Sequence, residues 1–156
     1  MSTIEQRLAV DDLLTRYALC IDEDRLEEWA SFFVEDCRYR ITSYDNYRAG
    51  LPHCVMYADS RGMLQDRISA VRDASIFESQ RYRHIVGSAT VDEIDNELIS
   101  TANFIVVRIM QDGVTDLFVS GQYRDRIDIS GPSYLFKEKI AVIDSSRIDT
   151  LIAIPL

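Results

Sequence analysis

The sequence predicts an α+β fold in which N-terminal helices pack on a strongly curved, antiparallel or mixed sheet. Three observations carry this. Amphipathic helical patterns dominate the first part of the chain, long strands of period two follow, and strands and helices do not alternate as in βαβ units. The 156 residues are 47% apolar and 28% charged, enough for one hydrophobic core. No repeat, low-complexity tract or Pro/Gly-rich linker interrupts residues 1–156, so one domain is expected.

Taken in order, Val10, Leu13, Leu14, Tyr17, Ala18 and Ile21 form one apolar stripe at helical spacing. Ser2 and Glu5 have the spacing of a capping box, which predicts a helix starting near the first residues. Asp24 and Glu27 repeat that signal before a short second helix with Leu26, Trp29, Ala30 and Phe33 on one face. Cys37, Tyr39 and Ile41 then alternate with Arg38, Arg40 and Thr42, the period of a strand. A third helix is expected from Ser60 to about Asp73, with Leu64, Ile68 and Val71 turned inward.

The remaining elements read as strands. Between Arg83 and Val91 the set Ile85, Gly87, Ala89, Val91 alternates with His84, Val86, Ser88 and Thr90. Leu98–Met110 and Val114–Ile129 are joined by Gln111-Asp112-Gly113, and Asp-Gly between apolar runs predicts a hairpin. Ser130-Gly131-Pro132-Ser133 marks the next turn before a strand over Tyr134–Ile143. Strands this long must bend, and Gly87 and Gly121 are the expected points. Such a sheet wrapped around the helices makes a cone.

Composition excludes several functions. Seventeen Lys+Arg against 26 Asp+Glu leave a net charge of −9, which argues against a nucleic-acid or anionic-membrane surface. Apolar stretches such as Phe104–Val107 are too short to span a bilayer, and Met1–Arg7 carries no signal-peptide core, so a cytoplasmic location is expected. Cys20, Cys37 and Cys54 are evenly spaced with no C-x-x-C pair, and read as reduced, mostly structural thiols. His53 and His84 are the sole histidines. With a carboxylate they could formally make a two-His iron site, but no spacing supports one, and the paired Cys/His motifs of a Rieske cluster are absent. No metal or cofactor is therefore expected on this chain.

The sequence also lacks a nucleophile elbow and any phosphate-binding glycine motif around Gly50, Gly113 or Gly131. Acid–base chemistry remains open at this point. A cone can hold a pocket lined by Tyr17, Asp22, Tyr39 or His84, where burial shifts proton affinities. The plainer alternative makes the tyrosines core aromatics and Asp22 a turn residue. Arg81-Tyr82-Arg83-His84 is the densest polar–aromatic cluster, either an interface patch or a solvated strand start with Tyr82 packed inward.

Several segments resemble a known family. Tyr57-Ala58-Asp59-Ser60 leading into Met63-Leu64-Gln65-Asp66-Arg67-Ile68 is one, Tyr82-Arg83-His84-Ile85 another. Arg108-Ile109-Met110 and the ending Asp149-Thr150-Leu151-Ile152-Ala153-Ile154-Pro155-Leu156 complete the set. The chain resembles the small (β) subunits of Rieske non-haem-iron aromatic ring-hydroxylating oxygenases, in the branch acting on aromatic carboxylates such as salicylate, terephthalate and anthranilate. The resemblance implies the cone fold typified by nuclear transport factor 2 and a structural, non-catalytic role. It places the Rieske 2Fe–2S cluster and a mononuclear Fe(II) on a large (α) subunit, in an α3β3 hexamer supplied from NAD(P)H through a reductase and a ferredoxin. It implies no catalytic residue here and turns Arg81, Tyr82, Arg83 and His84 toward the partner interface. The rival expectation is a stand-alone pocket enzyme of the same fold, an isomerase, dehydratase or epoxide hydrolase using Tyr17, Asp22 or His84.

Overall fold

The structure, a computed structural model, describes residues 1–74, 80–147, 152 and 154–156. Part of the resembling segment, residues 149–151 and 153, lies outside the described residues. Helix α1 (Ile4–Asp22) buries the whole stripe from Val10 to Ile21. Its capping box is Thr3 with Gln6, one residue later than Ser2 with Glu5. Ser2 is otherwise engaged, since its hydroxyl donates to the Val91 carbonyl at 2.6 Å.

The second helix is a 3-10 segment (Leu26–Phe32), with no side-chain cap. Asp24 cannot supply one, because it sits at φ 60° and its carboxylate accepts from the Arg72 guanidinium. Phe33, expected on that helix, instead opens β1 (Phe33–Ser43) and is fully buried. Cys37, Tyr39 and Ile41 turn inward as their alternation requires. Thr42, on the opposite phase, is buried too, with its hydroxyl bonded to the His53 carbonyl at 2.8 Å. A short α2 (Tyr44–Arg48) and β2 (Met56–Ala58) follow, neither long enough to show a period in the sequence. Helix α3 (Arg61–Asp73) is capped by the Ser60 hydroxyl and buries Leu64 and Ile68.

The stretch Arg83–Val91 is not one strand. It divides into β3 (Gln80–Val86) and β4 (Thr90–Ile94), which pair with different parts of β5 (Glu97–Met110). Between them the Gly87 N–H bonds the Asn103 carbonyl and the Ala89 N–H bonds the Asp11 carboxylate of α1. This break shifts the alternation by one residue. Tyr82 and His84 point inward on β3 and Val91 inward on β4, while Ile85 is 56% exposed.

Strand β5 turns through Gly113, at φ 92°, into β6 (Thr115–Asp128), and β7 (Leu135–Ile143) completes the sheet. The order is β2-β1-β7-β6-β5-β3, with β4 also on β5; β1 and β7 run parallel and the other pairs antiparallel. Of the two expected bends, Gly121 alone demands glycine: a Cβ there would lie 2.1 Å from the Val142 carbonyl oxygen, against 3.6 Å from the nearest atom at Gly87. Helix α1 packs at the β3–β4 end and α3 at the β1–β2 end, both on the inner face. The open sheet and the helices thus enclose a core led by Trp29, Tyr17, Tyr39, Tyr123, Phe33, Phe104 and Phe136. No helix among the described residues is long and apolar enough to cross a membrane.

Candidate functional site

The interior of the cone is where a pocket would form in this architecture; here side chains pack closely around Tyr17, and a cleft of about 260 Å³ reaches Trp29 and Tyr39 beside Met56, Leu64 and Arg67. Tyr17 and Tyr39 both donate to the main-chain oxygen of Leu156, at 2.7 and 3.0 Å. Tyr39 also accepts the Leu156 N–H at 3.1 Å, and the Trp29 indole donates to the Tyr17 hydroxyl at 3.1 Å. Arg67 holds the same segment by its bond to the Ile152 carbonyl. Leu156 is fully buried beneath these contacts. Burial pushes both phenols above their ordinary range, so they serve as neutral hydrogen-bond donors and not as bases.

Deeper inside lies a pair that periodicity alone does not reveal. Lys139 Nζ sits 3.1 Å from Asp125 Oδ2, with both side chains fully buried. The ammonium lies 3.7 Å from the Tyr123 ring centroid, 4.3 Å from Phe136 and 4.5 Å from Tyr17. Burial raises Asp125 to about 6 despite the neighbouring cation, and burial lowers Lys139. The sequence does carry one signal: Lys139 occupies the same inward phase of β7 as Ala141 and Ile143. Its counter-ion is visible once β6 and β7 are in register, with Asp125 opposite Lys139.

A second buried pair joins α1 to β3. Asp22, the last residue of α1, accepts the His84 main-chain N–H at 2.7 Å and contacts His84 Nδ1 at 2.6 Å. The carboxylate therefore fixes both the backbone and the ring of His84, whose Nε2 has no hydrogen-bond partner among the described residues. The four residues considered for a pocket are thus all buried, but as two separate pairs. Tyr17 and Tyr39 meet through Leu156, and Asp22 meets His84. A surface cleft of about 370 Å³ runs beside Asp22, Arg72, Gln80 and Tyr82.

Among the described residues the two histidines lie far apart. His84 is committed to Asp22 on β3, while exposed His53 lies near the β1–β2 edge, at the other end of the sheet. Cys20 and Cys37 are buried, and burial pushes their thiols up to about 11; Cys54 is exposed. Among the described residues no three His, Cys, Asp or Glu side chains are grouped as metal ligands would be.

The cluster Arg81-Tyr82-Arg83-His84 is split by strand alternation. Arg81 and Arg83 are exposed on the outer face of β3, whereas Tyr82 and His84 are buried on the inner face. Below them Tyr82 stacks on Phe118 at 5.5 Å, and Phe118 lies under the Arg108 guanidinium, itself paired with Asp116.

Comparison with known proteins agrees with this architecture. Residues 16–150 match the family model described as ring hydroxylating beta subunit, and the chain belongs to that family, with its nuclear-transport-factor-2-like fold. It is 45% identical to subunit beta 1 of the terminal oxygenase component of terephthalate 1,2-dioxygenase from Comamonas sp, over 90% of this chain and 92% of that one. It is 35% identical to the small subunit of anthranilate 1,2-dioxygenase from Burkholderia cepacia, over 92% and 90% of the two chains. A crystal structure assigned as the beta subunit of an aromatic-ring-hydroxylating dioxygenase from Novosphingobium aromaticivorans superposes with a TM-score of 0.89, at 38% identity and 97% coverage of each chain.

Proposed function

We propose that this chain is the small subunit of a multi-component oxygenase that hydroxylates a benzoate-like aromatic acid of the terephthalate, anthranilate or salicylate type. Its role is structural: residues 1–156 act as one cytoplasmic domain that supports the large subunits. The observation that carries this is the 45% identity to the Comamonas terephthalate dioxygenase subunit, sustained over 90% of the chain. The packed core around Tyr17 and the Asp125–Lys139 pair supports it.

The Rieske cluster and mononuclear Fe(II) belong on the large subunit in this proposal, and this chain binds neither. Three small subunits beneath three large ones form the α3β3 particle, and electrons from NAD(P)H reach it through a reductase and a ferredoxin. A subunit burying on the order of 800 Å² per partner can fix the spacing between neighbouring large subunits. That spacing sets the distance an electron crosses from the cluster of one to the iron of the next. Of the candidate interface residues, Arg81 and Arg83 are those with free access to a partner. Tyr82 and His84 act beneath them by holding β3.

The test is co-expression with a large subunit that carries the paired C-x-H and C-x-x-H motifs, followed by size exclusion and turnover of an aromatic acid. Co-elution with restored turnover is expected. An oxygenase fully active without this chain, which then elutes alone, would overturn the proposal.

A further inference from the structure

The cleft of about 260 Å³ that reaches Trp29 and Tyr39 opens between α3 and the β1–β2 edge of the sheet. Trp29, Tyr39 and Leu64 are its buried floor, and the exposed side chains of Tyr57 and Met63 flank its mouth. The polar atoms of the floor are already used. The Trp29 indole donates to the Tyr17 hydroxyl, and the Tyr39 hydroxyl donates to the Leu156 carbonyl while accepting the Leu156 N–H. What these two residues offer the cleft is ring surface, packed edge to face with centroids 5.1 Å apart. Met56 adds a polarisable thioether to the same wall.

Arg67 brings a positive charge into this apolar space. It lines the cleft half-buried and reaches no carboxylate among the described residues. Its Nη2 donates to the Ile152 carbonyl at 3.0 Å, which fixes the guanidinium and leaves Nε and Nη1 for another acceptor. A guanidinium in apolar surroundings favours an anionic acceptor, because charge-assisted bonds strengthen as water is excluded. Asp66, exposed at the rim, disfavours a second negative charge on the same occupant. The volume lies below the roughly 300–1,000 Å³ of sites for drug-sized molecules, which restricts the occupant to one ring.

We infer that this cleft binds a single-ring aromatic monocarboxylate, with the ring against Trp29, Tyr39 and Met56 and the carboxylate on Arg67. The inference rests on the function proposed above for its meaning, because the small subunit then recognises the class of acid that the complex hydroxylates.

Trp29 is the sole tryptophan of the chain, so its indole N–H resonance reports this cleft. The experiment titrates the purified full chain at pH 7 with benzoate, benzamide or terephthalate and follows that resonance in proton–nitrogen correlation spectra. Benzoate should shift it saturably, and benzamide and terephthalate should each bind about tenfold more weakly or worse. Arg67→Gln should weaken benzoate about tenfold and leave benzamide unchanged, a selectivity that general loosening of the fold does not produce. Met63→Glu, at an exposed position, sets a carboxylate at the mouth and should show the same selectivity. It carries the test if thermal unfolding shows that Arg67→Gln has lost its fold. Arg83→Gln, on the outer face of β3, should change neither affinity. An unmoved Trp29 resonance at millimolar benzoate would overturn the inference. So would benzamide or terephthalate binding as tightly as benzoate, or wild-type benzoate affinity in the folded variants. Any of these leaves the co-expression result standing, whereas a chain that binds benzoate but no large subunit sinks the functional reading instead.

Discussion

The buried pair of Asp125 and Lys139 gives the sharpest energetic test of the structure. Replacing Asp125 with Asn keeps its shape but leaves an ammonium enclosed by three aromatic rings with no counter-ion. Breaking one side of a sealed ion pair costs about 3–5 kcal/mol. For a domain of this size, that lowers the melting temperature by roughly 6–20 °C. Replacing both partners, as in Asp125→Leu with Lys139→Met, removes the charges together and should be neutral or stabilising by about 1–4 kcal/mol.

The proton affinities agree in sign with the gain expected of the double replacement, because burial disfavours the charged form of each partner. Asp125 is raised from 3.8 to about 6, so its contribution is fully present below about pH 4 and lost as pH rises through 6. Lys139 is depressed, so its contribution is present only above its ordinary 10.5 and is lost as pH falls through its folded value. At pH 7 the desolvated carboxylate therefore opposes folding, whereas the protonated acid at pH 4 does not. The advantage of the double replacement over the wild type should therefore shrink between pH 7 and pH 4. Urea unfolding of the four proteins at both pH values measures this. A cost under about 1 kcal/mol for Asp125→Asn, or a double variant as unstable as that single one, would refute a sealed charged pair.

Three further outcomes test the fold that positions the outer face. Gly121→Ala should lose roughly 1–3 kcal/mol in urea unfolding, because its methyl meets the Val142 carbonyl; Gly87→Ala, with ordinary spacing, should change stability by less than about 1 kcal/mol. Equal losses at the two sites would mean that the close approach at Gly121 is not the cause. Tyr17→Phe removes the acceptor of the Trp29 indole and one donor to Leu156, and is expected to cost about 1–3 kcal/mol by thermal unfolding. Asp22→Ala strips His84 of the acceptor for its main-chain N–H, so hydrogen exchange at that amide should accelerate markedly while exchange at Ile127, deep in β6, changes less.

What was legible in the sequence had local causes. The α1 stripe needs only a period of 3.6, and Asp112-Gly113 declares its hairpin because Gly113 must adopt φ 92°. What was hidden depends on partners far along the chain. The break between β3 and β4 is held by Asp11, 78 positions from Ala89, and the packed core around Tyr17 by Leu156, 139 positions away. Nothing near Ala89 or Tyr17 announces either contact. The cluster Arg81-Tyr82-Arg83-His84 lies between these cases. Its composition marks it as unusual, and period two already forbids four consecutive strand residues from sharing one surface. The buried pair, Tyr82 and His84, ties β3 to Phe118 and to the end of α1. The exposed pair, Arg81 and Arg83, is thereby presented on a strand that cannot easily shift, which is the condition under which two arginines bind a partner with little ordering cost. Substitutions at the buried positions should therefore weaken partner binding and subunit stability together, whereas those at the exposed positions should weaken binding alone.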